Sequence, residues 1–328
     1  MRGWIEPCPY ARRCASPSGG GTDLPSYYRS HGGFALSAAI DRYVRIRVSD
    51  ASGPLFRLDH LESEEVSDPA DVEHPILRAA LARHWRNGPI ELESSGDVPP
   101  GTGLGSSGSY TVCAIKALEL ASGHDSAPPQ LSEAACEIEL GDLGRTVGKQ
   151  DQYAAAHGGV NAFTFDRDDG VQVHRLALDA GTRRAMAERF LLFGAGGGRS
   201  AADMLAGQVE RTMAGDPGLR RNLARSEELA HEVCAALEGG APDRLGALLE
   251  EQWALKRERL TDVKMQPIED LRAVALGAGA HGATLVGAGK GGFLLVCAAD
   301  PERVRAAFAG AGAPELTFGL DEDGCVAE

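Results

Sequence analysis

The chain has 328 residues, of which 43% are hydrophobic, and its 47 acidic and 33 basic side chains give a formal net charge of −14. This length is sufficient for two domains of ordinary size, and the hydrophobic content excludes a chain that is disordered throughout. The acidic balance disfavours general nucleic-acid binding and binding to an anionic membrane, so we expect neither partner.

The seven cysteines are scattered, odd in number and without a CxxC pair. This pattern predicts reduced thiols rather than a disulfide framework or a zinc site. No apolar run approaches the roughly 20 residues of a membrane span, and the N-terminus lacks the apolar core of a signal peptide. We therefore expect a cytoplasmic protein, a monomer or a homodimer.

In chain order, the predicted elements mix helices with extended segments. Residues 1–22 show neither the alternation of a strand nor the period of a helix. Strict alternation of strand and helix is absent beyond them, so an α+β fold with mostly antiparallel strands fits better than a doubly wound sheet. We expect domains at 1–175 and 176–328. The patterns predict strands at 34–38, 43–48, 55–58, 90–94, 160–165, 172–176 and 190–193, and helices at 75–85, 131–140, 153–157, 201–213, 217–238, 243–262 and 271–279.

The most informative stretch runs from Pro99 to Tyr110 and reads PPGTGLGSSGSY. Its prolines favour extended backbone, and the three alternate glycines that follow permit positive φ and close approach of another group. Apolar residues then recur at helical spacing, so the loop opens a helix. Free amides and the helix dipole at such a point favour phosphate oxygens, and two serines offer hydroxyls. A plain turn is the alternative, and the lack of a following lysine excludes the GxxxxGK[ST] loop.

Two other glycine-rich stretches lie nearer the ends of the chain. Gly19–Asp23 reads GGGTD. Such a loop can surround a ligand hydroxyl, with the carboxylate as acceptor, or form a flexible turn with an N-capping Asp. Gly287–Gly292 lies between two apolar runs, which predicts a strand, a turn and a second strand.

Three stretches, in their order along the chain, resemble the three motifs of the GHMP kinase superfamily, which includes galactokinase, homoserine kinase, mevalonate kinase and phosphomevalonate kinase. The motifs read PPGTGLGSSGS, GKQDQY and LVGAGKGGFLLV. The resemblance extends from about Gly19 to the C-terminus. It implies a two-domain fold: an N-terminal domain that is ribosomal-protein-S5-domain-2-like and a ferredoxin-like C-terminal domain.

Longer segments resemble the sugar-kinase branch of that superfamily, which contains D-glycero-D-manno-heptose 7-phosphate kinase. They read GGGTDLPSYY, HGGFALSAAIDRYV, GKQDQYAAAHGGVNAFTF, RSAADMLAGQ and GAHGATLVGAGKGGFLL. The resemblance implies ATP and Mg²⁺ as cofactors and a small-molecule sugar or sugar phosphate as the substrate. Phosphoryl transfer of this kind depends on positioning and charge neutralisation more than on covalent chemistry.

The resemblance also implies roles for matching positions. Asp151 would be the general base, and Glu139 with Ser107 would hold Mg²⁺, tasks for which carboxylate oxygens are suited. Gly287–Gly292 would pack behind the phosphate loop. The ATP phosphates would be bound by Pro100, Gly101, Gly103, Leu104, Gly105, Ser106, Ser107 and Gly108, and the acceptor by Gly21, Thr22, Asp23, Arg199, Gly289 and Gly291.

Three of the candidates have structural alternatives. Lys149 is a second catalytic candidate, able to hold an acceptor phosphate or the transferring group, but it is equally a solvated loop lysine. Arg199 suits the distal phosphate of the acceptor because a guanidinium binds phosphate through two hydrogen bonds, or it is a surface arginine at a helix start. Glu139 is otherwise one of three acids on a solvated helix face. We assign His157, Trp253 and the cysteines to packing.

The stretch before Gly19 departs from the family pattern. The family shows a strand similar to APLRISF there, whose arginine is thought to assist the phosphate or the sugar, whereas this chain reads ARRCASPS, with Cys14 at about that position. Plausible GC-rich codons for Arg12–Gly19 encode PLRIAFG in another frame. We hypothesise that residues 1–18 result from a change of reading frame that removes a core strand and an active-site arginine. The coding DNA tests this.

Three functions fit the sequence. The preferred one is an ATP-dependent sugar kinase that phosphorylates the anomeric hydroxyl of D-glycero-D-manno-heptose 7-phosphate to the 1,7-bisphosphate. The second is another GHMP small-molecule kinase, for a hexose or an antibiotic-pathway sugar. The third, suggested by the altered N-terminal stretch, is a catalytically impaired relative that binds ligands. Retention of Asp151, Glu139 and Ser107 argues against the third.

Overall fold

Two β-sheets form the framework of the protein, whose computed structural model describes residues 9–196, 201–260, 265–287 and 292–327. The strands are β1 Pro9–Ser18, β2 Gly33–Asp50, β3 Phe56–Asp59, β4 Ser63–Val66, β5 Ile90–Gly96, β6 Val160–Phe165, β7 Val171–Arg175, β8 Phe190–Gly196, β9 Ala280–Leu285, β10 Gly292–Ala298, β11 Glu315–Leu316 and β12 Val326–Ala327. The helices are α1 Pro25–His31, α2 Pro75–His84, α3 Ser106–Ala121, α4 Pro128–Cys136, α5 Gln150–His157, α6 Ala180–Arg189, α7 Ala201–Met213, α8 Pro217–Glu238, α9 Leu245–Arg259, α10 Gln266–Gly277 and α11 Pro301–Gly310. A π-helical turn, Glu137–Asp142, follows α4, and 3-10 turns lie at Pro69–Asp71 and Pro242–Arg244.

The larger sheet has eight strands in the order β12-β1-β2-β5-β3-β4, with β6 paired to β2 and β7 to β6. Its central strand, β2, is one strand of 18 residues where the sequence pattern predicts two. Val44, Ile46 and Val48 are buried on one face, against the core beneath α2 and α3, as the alternation predicts. All the strand pairs of this sheet are antiparallel in the described chain, except β3 with β5.

The first strand corrects the expectation that the residues before Gly19 lack a core strand. β1 pairs with β2 from Tyr10 opposite Arg45 to Ser18 opposite Leu36, and with β12 at its other edge. Its register shifts between Arg12 and Arg13 and again after Ala15. Each such irregularity interrupts the period-2 alternation, which is why the sequence pattern does not reveal the strand. The chain as written therefore keeps a strand at this place.

The smaller sheet has four strands in the order β11-β8-β10-β9, all antiparallel. In chain order they form a β-α-β-β-α-β unit, which confirms the expected ferredoxin-like arrangement of the C-terminal half. Phe193 on β8 stacks on Phe308 of α11 with ring centroids 3.8 Å apart, and Trp253 of α9 is buried in the same core.

The two halves of the chain share a core as well as a cleft. Helices α8 and α9 place Leu229 and Leu245 against Phe34 and Val160 of the larger sheet. The expected boundary near residue 175 falls between β7 and β8, but β12 returns to the larger sheet. The division into 1–175 and 176–328 stays a prediction. Across the described residues, every helix is too short or too polar to cross a membrane.

Candidate active site

A cleft of about 1170 Å³ lies where the larger sheet meets α9 and β9. One wall contains the loop before α3, the start of α5, the π-helical turn and the GGGTD loop. A second wall contains α9, the end of β9 and Gly287. The sequence motifs that lie far apart in the chain therefore meet around one space.

The loop before α3 has the backbone that its glycines predict. Gly101, Gly103 and Gly105 have φ values of 77°, 79° and 64°. Helix α3 begins at Ser106 without a side-chain cap on its first amides, and the buried Ser106 hydroxyl has no hydrogen-bond partner in the described structure. Uncapped amides at a helix start favour an anion, so the geometry suits phosphate oxygens. The Leu104 side chain instead packs in the core with Val98.

The Gly287–Gly292 loop touches this phosphate loop through backbone. A Cβ added to Gly103 would lie 2.8 Å from the Val286 carbonyl oxygen, and one added to Gly287 would overlap the Cα atom of Gly103. Neither position has room for a side chain, so the glycines permit the contact. Gly289 and Gly291, the predicted acceptor contacts of this loop, lie outside the described residues.

Glu139 lies at the start of α3, although it comes from the π-helical turn. Its side chain is fully buried, and its carboxylate accepts from Ser107, from Thr111 at 3.2 Å and from Gln152 at 2.9 Å. Arg145 lies 3.3 Å from the same carboxylate and donates to Ser107 Oγ at 2.9 Å. Glu139 is thus not on a solvated helix face.

Asp151, in the first turn of α5, lies directly against the phosphate loop. A Cβ added to Gly105 would lie 3.3 Å from Asp151 Cγ, and one added to Gly108 would lie 3.0 Å from Asp151 Cβ. The Cys14 thiol donates to Asp151 Oδ1 at 3.3 Å. The cysteine that stands near the family's arginine position therefore contacts the candidate base. Ser107, Glu139 and Asp151 converge at one helix start.

Asp23 joins the GGGTD loop to the start of α5. Its buried carboxylate accepts from the amide of Gly21 at 2.9 Å and from that of Gln150 at 3.4 Å, and it packs against Gly148. Burial raises the pKa of Asp23, an effect that these backbone hydrogen bonds partly oppose. The N-cap interpretation is wrong, because Leu24 occupies that position of α1. Asp23 and Gly21 both line the cleft.

Two predicted site residues point elsewhere. Lys149 Nζ is 2.8 Å from the Asp169 carbonyl oxygen and 3.3 Å from Glu133, and the side chain is buried outside the cleft. It is therefore neither a cleft residue nor a solvated lysine. The Thr22 hydroxyl lies 2.9 Å from the Phe34 carbonyl oxygen and accepts from the Phe34 amide, so it secures the loop to β2. Arg199 lies outside the described residues.

Several cleft residues escaped the sequence analysis. Lys256 and Arg259 lie on the α9 wall and belong to a basic run, KRER, that a sequence pattern assigns to a solvated helix end. At the far end of the cleft, His60, His74 and Tyr110 line a partly aromatic space, with His74 and Tyr110 rings 5.0 Å apart. No short motif marks these three positions, because His60 lies between β3 and β4, His74 precedes α2 and Tyr110 lies in α3.

Sequence models of the GHMP kinases N-terminal and C-terminal domains match residues 74–159 and 229–313. The chain is 27% identical over 294 residues to a D-glycero-alpha-D-manno-heptose 7-phosphate kinase of Campylobacter jejuni, covering 85% of each chain. It is 24% identical over 262 residues to a mevalonate kinase of Methanothermobacter thermautotrophicus, covering 80% of this chain and 82% of that one. A crystal structure of a D-glycero-D-manno-heptose 1-phosphate kinase from Bacteroides thetaiotaomicron superposes with a TM-score of 0.81 at 22% identity, covering 98% of this chain and 99% of the other.

Matches to both domains, together with the two-sheet fold, define the class: the chain belongs to the GHMP kinase family. It is accordingly an ATP-dependent phosphotransferase with an alcohol group as the acceptor.

Proposed function

We propose that the protein transfers the γ-phosphoryl group of ATP to the anomeric hydroxyl of a sugar phosphate, with D-glycero-D-manno-heptose 7-phosphate as the best candidate and the 1,7-bisphosphate as product. The observation that carries the transfer step is the position of Asp151, which packs against Gly105 and Gly108 at the start of α3. The similarity to the Campylobacter jejuni heptose 7-phosphate kinase, over 85% of both chains, supports the choice of acceptor. We place the activity in the cytoplasm.

ATP would lie along the cleft with its phosphates at the loop from Pro100 to Gly108. Among the described residues, no side chain caps the first amides of α3, which favours an anion there. The base would extend towards His60 and His74, where flat side chains offer a surface for a purine. The γ-phosphate would then face Asp151.

The donor set at Glu139 and Ser107 fits Mg²⁺. A carboxylate and a hydroxyl are oxygen ligands, and the described residues contain no cluster of three or more His, Cys, Asp or Glu that would suit a metal held by protein alone. Such a sparse set is usual for Mg²⁺, which keeps waters and substrate phosphates as its other ligands. Bound there, Mg²⁺ would neutralise charge on the transferring phosphate. Arg145, which now contacts both residues, would give up its position beside Glu139.

The acceptor hydroxyl would lie between Asp151 and the GGGTD loop. Asp151 takes its proton as the hydroxyl oxygen bonds to the γ-phosphorus and the bond to the β-phosphate oxygen breaks, which releases ADP. Asp23 and Gly21 line this part of the cleft and would orient the ring hydroxyls. The uncapped amides at α3 would hold the transferring oxygens.

ADP release measured over a panel of acceptors tests the proposal. The panel contains the heptose 7-phosphate, the free heptose, hexoses, hexose 6-phosphates and mevalonate. We expect the heptose 7-phosphate to have the highest kcat/KM. Turnover only of hexoses or mevalonate would favour another kinase of this family, which the mevalonate kinase similarity keeps as the alternative. ATP binding without turnover of any acceptor would favour the impaired relative.

Asp151→Asn tests the assigned base. We expect kcat to fall by about 10²- to 10⁴-fold, the usual contribution of a general base, while ATP binding is retained. Asp50→Asn is the matched control, since Asp50 is exposed at the end of β2. An Asp151→Asn variant as active as the control would remove Asp151 as the base.

A further inference from the structure

Two cations on α9, Lys256 and Arg259, line the same cleft as the acidic residues. Lys256 and Arg259 are three residues apart, so they share one face of the helix. In the described part of the chain neither side chain forms an ion pair, whereas the neighbouring Arg257 pairs with Glu269 at 3.3 Å. Buried or half-buried cations usually have an anionic partner, so this absence needs a reason.

Arg259 is held in a fixed orientation by neutral groups. Its Nη1 donates to Asn222 at 2.7 Å and to Ser226 at 2.8 Å, both on α8, and its Nη2 lies 3.4 Å from the Gly20 carbonyl oxygen. The carboxylate of Glu258 accepts from the Asn222 amide at 2.7 Å rather than from the guanidinium. Among the described residues, the Nε–H and one Nη2–H have no protein acceptor, so both can donate to phosphate oxygens.

Lys256 is also directed by neutral oxygens. Its Nζ donates to the Leu285 carbonyl at 2.7 Å and to the Gly287 carbonyl, and its third N–H has no acceptor within the described ranges. Burial and the nearby charge of Arg259 lower the pKa of Lys256 to about 7, and burial lowers the pKa of Arg259 to about 10. Both shifts mean that the free protein holds these charges at an energetic cost, which a bound anion would offset.

We propose that Arg259, with Lys256 beside it, binds the phosphate group that the acceptor already carries and thereby selects a phosphorylated sugar. This inference rests on the proposed function and names the residues that decide between a sugar and its phosphate. The neighbourhood of Arg259 points to the acceptor rather than to ATP. Gly20 belongs to the GGGTD loop, and a Cβ added to it would lie 3.6 Å from Gln150 Nε2, one residue before Asp151.

The test compares kcat/KM for the heptose 7-phosphate and for the free heptose in the wild type and in Arg259→Gln. We expect kcat/KM for the phosphorylated acceptor to fall on the order of 100-fold in this variant, the size of a lost pair of charge-assisted hydrogen bonds. The kcat/KM for the free heptose and the KM for ATP should not change. Arg259→Lys keeps the charge without the paired donors and should lose less. Arg257→Gln is the control, because Arg257 lies two residues earlier on α9 with an exposed side chain. Its kcat/KM for both acceptors should equal that of the wild type.

Each outcome decides a different point. Equal losses for both acceptors, or a raised KM for ATP, would overturn the assignment of Arg259 to the acceptor phosphate. If the wild type uses the heptose phosphate and Arg259→Gln retains the preference, only this inference is wrong. If the wild type uses only sugars without phosphate, the proposed acceptor and this inference are both wrong. Thermal unfolding of each variant, together with activity of Arg259→Lys, separates a folding defect from loss of recognition.

Discussion

The two walls of the cleft balance their charges differently. On the acidic wall, defined by Asp23, Glu139 and Asp151, the Glu139 carboxylate accepts from three neutral side chains and pairs with Arg145. On the basic wall, defined by Lys256 and Arg259, the described partners are neutral oxygens only. The acidic wall is therefore organised before substrates arrive, whereas the basic wall is completed by a bound anion.

This difference has a general consequence for variants. Preorganised groups that face a developing charge act on the transfer step, and their partners also stabilise the free protein. Partly buried cations without an anionic partner strengthen the binding of an anionic substrate, but they destabilise the free protein. Substitutions on the acidic wall should thus lower stability and kcat, whereas those on the basic wall should raise KM for the acceptor and remove an unfavourable charge from the free protein.

The first prediction from this comparison concerns the contact between the two walls. In Gly103→Ala, the new Cβ would lie 2.8 Å from the Val286 carbonyl oxygen and the residue would keep a φ of 79°. We expect KM for ATP to rise at least about tenfold, because the left-handed conformation alone costs about 1–2 kcal/mol and the clash adds to it. Nucleotide titration of the purified variant measures the effect.

Gly101→Ala is the matched control for that prediction. Gly101 has a φ of 77°, but a Cβ there meets nothing within 4 Å. The control therefore isolates the backbone cost from the contact between the walls. Equal effects of the two substitutions would show that the contact with Val286 does not matter for ATP binding.

Arg145 is the cation that pairs with Glu139 on the acidic wall, and its removal should lower stability. In Arg145→Gln, the fully buried Glu139 loses its ion pair, and we expect the free energy of unfolding to fall by about 2 kcal/mol. Added Mg²⁺ should recover part of the loss if it occupies the place beside Glu139. Denaturant unfolding with and without Mg²⁺ measures both effects.

Arg29→Gln is the control for Arg145, since the Arg29–Asp169 pair is exposed and should contribute less than about 1 kcal/mol. If Arg145→Gln is as stable as this control, Arg145 does not stabilise the buried Glu139 carboxylate. Mg²⁺ that stabilises wild type and variant equally would argue against competition for Glu139.

Lys149 tests whether every cation beside the cleft takes part in transfer. Because its ammonium contacts Glu133 and the Asp169 carbonyl, Lys149→Met should leave kcat unchanged and lower stability by about 1–2 kcal/mol. Lys116→Met is the matched control, a buried lysine that pairs with Asp125 and does not line the cleft. A large fall in kcat for Lys149→Met alone would restore the role that the sequence predicts.

The sequence was sufficient where function depends on local backbone. Gly101, Gly103 and Gly105 have the positive φ values that a phosphate loop needs, and this requirement is visible as three alternate glycines. Glu139 and Asp151 meet beside that loop because the helices that carry them pack at one place, which the family resemblance anticipates.

Side-chain direction and irregular strands were not predictable. Lys149 and Lys256 both lie at an end of a helix, yet one contacts Glu133 and the other lines the cleft, because partners distant in the chain decide the direction. Thr22 turns to β2 for the same reason. β1 escaped notice because its two register shifts break the alternation by which a strand is recognised.

The pH dependence of stability tests the charge of Lys256 on the basic wall, and its expected effect is the smallest of these stability changes. The pKa of Lys256 is about 7 in the folded protein, below its ordinary value of 10.5. Between these values the unfolded chain binds the proton and the folded protein does not, so stability rises with pH from about 7 to 10.5. Relative to Lys256→Met, which cannot titrate, the wild type should gain on the order of 1 kcal/mol over that range, because partial solvent exposure reduces the full shift. Unfolding at constant ionic strength without substrates measures the difference, with the exposed Arg257→Met as control. Parallel pH profiles for Lys256→Met and wild type would mean that the pKa of Lys256 is not lowered in the folded protein. The difference between the two walls would then depend on Arg259 alone.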